Sequence, residues 1–194
     1  MNSNAISAFE YVTILISIIL GLGITQVLSS IAESFYNYKR VRFYFPHSIW
    51  VVVILFFHIQ EWFIIYELKG YPIWKLPIFL FIILYPINLF IITKLLFPIA
   101  MGHGVINLKK YYFDNFQKIF FLFGTSIILS ISFNLYFLNA PLLQQLLLIF
   151  PLAVFLYAAI KGVKKEWVHK LIALFFLAVI IITTIAEQNK WYIK

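Results

Sequence analysis

Residues 11–32 read YVTILISIILGLGITQVLSSIA, an unbroken stretch without a charged side chain. A helix rises about 1.5 Å per residue, so ~20 apolar residues cross a hydrocarbon core. Five more apolar runs, uncharged or nearly so, occur at 48–66, 78–97, 120–138, 141–160 and 171–186. A membrane β-barrel would alternate apolar with polar lumen residues, and these runs do not alternate. The expected fold class is therefore all-α: a polytopic integral membrane protein with six transmembrane helices, short loops and a single domain spanning 1–194.

Composition agrees with that class. Hydrophobic residues make up 63% of the 194-residue chain and charged residues 11%, which no soluble domain of this size would keep dispersed in water. Once six spans are subtracted, only loops and two short tails remain outside the bilayer. Cysteine is absent, which excludes disulfides, thiol catalysis and Cys-based metal sites. The abundance of Ile, Phe, Asn and Lys reads as the codon bias of an AT-rich genome and points to a bacterial source. No Lys or Arg precedes Lys39, so 11–32 lacks the basic flank of a signal peptide and is expected to stay as a span.

Basic residues set the expected orientation. Lys39, Arg40 and Arg42 fall in the first connection, Lys109, Lys110 and Lys118 in the third, and Lys161, Lys164, Lys165 and Lys170 in the fifth. Lys94 can snorkel toward the third. The opposite side carries Lys69, Lys75, Lys190 and Lys194. Because Lys and Arg are retained in the cytoplasm, the richer side is expected inside and both termini outside, in a bacterial inner membrane. The net charge of +8 is then the arithmetic of that rule. The rim of Lys39, Arg40, Arg42, Lys109, Lys110, Lys164 and Lys165 would meet anionic lipid first, with a cytoplasmic protein or RNA as further candidate partners. Five tryptophans, Trp50, Trp62, Trp74, Trp167 and Trp191, fall near span ends, where indole sits at headgroup level. The longest connection, 98–119, contains an amphipathic stretch at 105–116 that reads as a short interfacial helix. Pro86 and Pro151 predict kinks within the third and fifth spans.

Three groups of residues stand out as candidate sites. Thr13, Ser17, Gly21, Thr25 and Ser29 recur every four residues on the first helix and form a winding small-residue face. Packing against another helix of the same chain is the plainer reading; a subunit interface or pore lining in a homo-oligomer is the sharper one. On the second helix, His58 and Glu61 stand at i, i+3 with Gln60 beside them, and Glu10 of the first helix can approach the same level. Polar residues at that depth face protein or water, so His58 and Glu61 are expected to satisfy each other and staple the bundle. A proton-sensing or ion-sensing site is the alternative. Asn88 and Asn134 are expected to hydrogen-bond between helices.

Other signals carry less. Arg42 and His47 fit the Arg-x4–6-His spacing of HEPN ribonucleases, but Pro46 interrupts it and His47 falls at the membrane edge, so headgroup contact is the better reading. His47, His103 and His169 share one side and are expected as solvated loop histidines. No HxxxH pair, nucleophile–base pair, P-loop or bis-His arrangement occurs, so neither metal, cofactor nor catalytic residue is expected.

Phe9-Glu10-Tyr11, then 18–25 (IILGLGIT), Arg40-Val41-Arg42, His47-x2-Trp50, Gln60-x-Trp62, Tyr112-Phe113 and Phe120-Phe121 together resemble a family of small uncharacterised bacterial multi-helix membrane proteins. In size and composition the chain is also similar to the small membrane accessory protein encoded beside type VI-B CRISPR ribonucleases. That resemblance implies an accessory role in antiviral defence, through oligomeric pores or altered membrane permeability. A small channel or transporter using a His58/Glu61 pathway is the rival expectation.

Overall fold

Ser7 opens the first helix with a reciprocal cap. Its hydroxyl accepts from the Glu10 amide (3.2 Å) while the Glu10 carboxylate accepts from the Ser7 amide (2.8 Å). From there α1 runs Ala8–Tyr36, followed by α2 (Phe45–Tyr66), a 3-10 turn (Glu67–Gly70), α3 (Leu76–Leu96), α4 (Leu108–Tyr136), α5 (Leu142–Lys161) and α6 (Glu166–Ala186). The computed structural model describes residues 7–98 and 104–186. Among these residues, six helices are long and apolar enough to cross a membrane by length and composition.

The helices are longer than the apolar runs at several ends. The fourth begins at Leu108 rather than 120, so the stretch read as a separate interfacial helix is its first turns. The Asn107 side chain caps it by accepting from the Lys110 amide (3.1 Å), and no Gly or Pro lies between Leu108 and Ile119 to break the helix. The first and sixth helices likewise extend beyond 11–32 and 171–186. The other three differ from the expected ranges by no more than three residues at either end.

Two ends of the bundle are distinguished by what ties them. At one, β1 (Val41–Arg42) pairs in parallel with β2 (Ile106–Asn107), joining the α1–α2 and α3–α4 connections. Arg40 supports the join through the Gly104 carbonyl (3.3 Å). Glu166 closes the same end by pairing with Lys109 and with Lys170. At the opposite end Tyr71 meets Phe137, with ring centroids 5.3 Å apart. The α4–α5 turn there passes through Asn139 at φ 49°, a left-handed conformation that Asn tolerates. Helix α5 ends on Gly162 at φ 59°, where a side chain would be strained and would meet Gln117 at 3.2 Å. Gln117 uses that space to donate to the Ala159 carbonyl (2.7 Å), clasping α4 to α5.

The core is aromatic. Trp50 of α2 is fully buried among Phe120, Phe123, Phe155 and Phe176, which brings α2, α4, α5 and α6 together. This corrects its expected headgroup position: Trp50 lies near a helix end in sequence, yet neighbouring helices cover it. Trp62 and Trp167, in contrast, are half or more exposed. Much of the outer surface is bare Leu, Ile and Phe, as on Leu142, Leu143, Leu147 and Ile182, which suits a lipid surround.

Candidate functional site

Helix α1 buries Val12, Ile16, Leu20, Gly23, Val27, Ser30 and Ser34. These steps of three and four follow the 3.6-residue turn of a straight helix. The stripe Thr13, Ser17, Gly21, Thr25 and Ser29 advances by four every time and drifts off that line. Thr13 and Ser17 are half-buried, while Gly21, Thr25 and Ser29 face outward. A Cβ on Gly21 would meet nothing within 4 Å, which overturns the expectation that this stripe packs inside the chain. The close-approach glycine is Gly23, where a Cβ would lie 2.0 Å from His58 Nε2.

His58 does not pair with Glu61. Its Nδ1 donates to the Ile54 carbonyl one turn earlier (2.7 Å), and its Nε2 lies against Gly23 with no hydrogen-bond partner. Residues three apart differ by about 60° around a helix, enough here to send His58 toward α1 and Glu61 toward α3 and α4. Glu10 is exposed and occupied in its own helix cap, so it is not brought to Glu61 either. Gln60 is half-buried and outside the Glu61 cavity.

Glu61, 6% exposed, opens on a cavity of about 30 Å³ between α2, α3 and α4. Tyr85, Ser130 and Asn134 share its lining, with Ile64, Phe81, Ile82, Leu129 and Phe133 forming the apolar walls. Asn134 donates its amide to Gln145 Oε1 of α5 (3.1 Å), which leaves the Asn134 side-chain carbonyl as an acceptor. Further along α3 and α4, Asn88 donates to Ser126 Oγ (2.8 Å) and to the Leu122 carbonyl (2.9 Å), so both asparagines bond between helices. Ser126, Ser130 and Asn134 recur every four residues and give α4 a polar edge toward α3. Helix α3 contributes one more feature. Pro86 has no N–H, so the carbonyl four residues earlier, on Ile82 of the cavity wall, loses its helical donor. The sequence offered Glu61 as a site residue; Tyr85 and Ser130 were missed, because a lone Tyr or Ser in an apolar run carries no motif.

At the basic end three polar side chains are closed into a chain. Trp50 Nε1–H donates to Tyr112 Oη (3.3 Å), Tyr112 donates to His169 Nδ1 (2.8 Å), and His169 Nε2–H donates to the Val163 carbonyl (2.7 Å). The terminal carbonyl can only accept, which sets the direction of every bond in the chain. His47 Nε2 donates to the Leu96 carbonyl (2.7 Å), holding α2 to the end of α3. His47 and His169 are therefore buried structural residues and not the solvated loop histidines expected; His103 lies outside the described residues. With His47 engaged and 1% exposed, its pairing with Arg42 for phosphate chemistry is lost. Beside them the Tyr44 hydroxyl is buried without a partner, and burial first, then Glu166, pushes its pKa up to about 12. Of the basic rim, Lys39, Arg42, Lys110, Lys164 and Lys165 are exposed. Lys109 pairs with Glu166 and lies over the Tyr44 ring, and half-buried Arg40 is tied to the connections. Lys94 reaches Gln26 of α1, which in turn donates to Ser30 (3.0 Å). Among the described residues, no three His, Asp or Glu side chains gather as a metal site would require.

No protein-family model, curated protein or solved structure matches the chain.

Proposed function

We propose that this chain is a non-enzymatic multi-pass protein of the bacterial inner membrane, with both termini outside, which assembles into homo-oligomers. In this reading it serves as an accessory or effector of antiviral defence, in the manner of the CRISPR-linked membrane proteins it resembles, by altering membrane permeability. The observation that carries assembly is the outward small-residue face of α1: Gly21 has open space beside it, and Thr25 and Ser29 flank it on the exposed side. Small residues let helix backbones approach closely in lipid, where no hydrophobic force drives association. The exposed lysines and Arg42 at the basic end supply a surface for anionic lipid or for a cytoplasmic protein or RNA partner.

Native mass spectrometry in lipid nanodiscs tests assembly. Gly21→Leu should convert oligomer to monomer without lowering the stability of the monomer, because Gly21 is exposed and a Cβ there meets nothing within 4 Å. A wild-type protein that is monomeric, or an oligomer indifferent to Gly21→Leu, overturns the proposal. Dye leakage from liposomes, compared between wild type and Gly21→Leu, tests the link from assembly to permeability.

A second reading, a small channel or transporter, is favoured by the Glu61 cavity. Its polar route would run past Glu61, Tyr85, Ser130 and Asn134, with His58 turned away toward α1. Ion flux into liposomes that falls in Glu61→Gln while assembly is intact would support it over the first.

A further inference from the structure

Three oxygen-bearing side chains from three helices face the Glu61 cavity: the Glu61 carboxyl, the Tyr85 hydroxyl and the Ser130 hydroxyl. Among the described residues none of the three has a protein hydrogen-bond partner. Glu61 is buried and Tyr85 and Ser130 are half-buried; a buried carboxyl is almost always satisfied, and the cavity the three share is where its partner would sit. The Asn134 side-chain carbonyl adds a further acceptor. Every one of these ligands is a hard oxygen, with no nitrogen or sulfur among them.

Charge decides the occupant. A carboxylate in a low-dielectric interior is stable only when its charge is compensated. Among the described residues no cation pairs with Glu61: the two ion pairs, Lys109–Glu166 and Lys170–Glu166, lie at the basic end, Lys94 is engaged with Gln26, Lys69 at the near end donates to the Tyr66 hydroxyl, and Lys75 at the start of α3 makes no ion pair. The group facing Glu61 from α3 is Tyr85, α4 presents uncharged Ser130 and Asn134, His58 on its own helix faces α1, and α1's Glu10 is exposed in its cap. The charged residues of α6, Glu166 and Lys170, are at the other end. One negative charge calls for one positive charge, and a divalent ion would leave an excess. A cavity of about 30 Å³ has room for a small ion or for one or two waters.

We infer that the Glu61 cavity is a binding site for a single monovalent cation, at which Na+ and a proton exchange on the Glu61 carboxyl. With the proton bound, the neutral carboxyl donates to an oxygen of the cavity. With Na+ bound, the carboxylate, Ser130, Tyr85 and Asn134 supply oxygen ligands, and the displaced proton leaves to water. The site rests on the cavity alone. It requires neither subunit assembly nor a conduction path, so its failure is separable from theirs.

Infrared difference spectroscopy of the protein in nanodiscs tests the exchange. Replacing choline chloride by sodium chloride at alkaline pH should remove a protonated-carboxyl band and raise carboxylate bands, and acidification should reverse the change. The response should vanish in Glu61→Gln. It should require about tenfold more Na+ in Ser130→Ala, the loss expected for one ligand worth about 1.4 kcal/mol. A carboxyl band indifferent to sodium in the wild-type protein, or an unchanged sodium response in Glu61→Gln, overturns the proposal.

Discussion

Gly23→Ala should be among the most damaging single-carbon changes in this chain. The added Cβ would lie 2.0 Å from Nε2 and 2.4 Å from Cδ2 of His58, whereas ordinary contact begins near 3.4 Å. The ring must retreat by about 1.4 Å, but it is fully buried and tethered to the Ile54 carbonyl at 2.7 Å. Overpacking of a close-packed site costs roughly 1–3 kcal/mol, and losing the tether leaves a buried donor unsatisfied for roughly another 1–3. Alanine's better helix propensity returns at most about 1 kcal/mol. With that offset the net loss is about 1–5 kcal/mol, read as a fall in unfolding free energy during SDS titration of the micelle-bound protein. Gly21→Ala is the internal control, since its Cβ meets nothing within 4 Å and should be neutral or slightly stabilising. Removing the ring should relieve the clash, so Gly23→Ala introduced into a His58→Ala background should cost less than about 1 kcal/mol. Equal stability of Gly23→Ala and Gly21→Ala, or no relief in the double variant, would refute this account of the α1–α2 contact.

Three further outcomes are expected. Tyr112→Phe removes one oxygen but strands two groups, Trp50 Nε1–H and His169 Nδ1, and should cost roughly 2–4 kcal/mol by the same unfolding assay; a loss below about 1 would mean the chain of bonds is slack. Asn88→Ala breaks bonds to Ser126 and Leu122 across α3 and α4 and should cost only about 0.6–1.7 kcal/mol, the range measured for hydrogen bonds inside membranes. For orientation, Val163→Cys beside the basic end should resist an impermeant thiol reagent in intact cells and react after permeabilisation. Labelling from outside would reverse the proposed topology.

The six helices were legible because a segment that crosses a bilayer must satisfy its own backbone, so runs of about 20 apolar residues read as helices. Helix ends were less legible. The first turns of α4 carry Lys109, Lys110, Asp114 and Lys118, a composition that imitates a separate surface helix, although nothing between Asn107 and Ile119 would stop the helix. Which face of each helix turns inward was least legible. In a soluble protein polarity marks the outside, but here the outer surface and the core are both apolar and the contrast is lost. Hence the small-residue stripe of α1 read as its packing face, while the buried line through Val12, Ile16, Leu20 and Gly23 is chemically indistinguishable from its outward-facing neighbours. Glu61 could be picked out by its charge; Tyr85 and Ser130, which complete its cavity, needed the three-dimensional register of α2, α3 and α4.

The two polar centres of the bundle differ in a way that bears on their roles. At the basic end Trp50, Tyr112 and His169 form a chain in which each bond fixes the direction of the next and the last acceptor is a main-chain carbonyl. Such a closed network holds α2, α4 and α6 in one arrangement, because each of its three side chains is already engaged by another. Toward the opposite end Glu61, Tyr85 and Ser130 meet around a cavity without bonding to one another or to the backbone among the described residues. An open set of oxygens stabilises little by itself, but its energy changes sharply when a cation or proton arrives. Disrupting the first centre should therefore lower stability equally in sodium and in choline, whereas disrupting the second should abolish whatever stabilisation sodium confers on the wild-type protein.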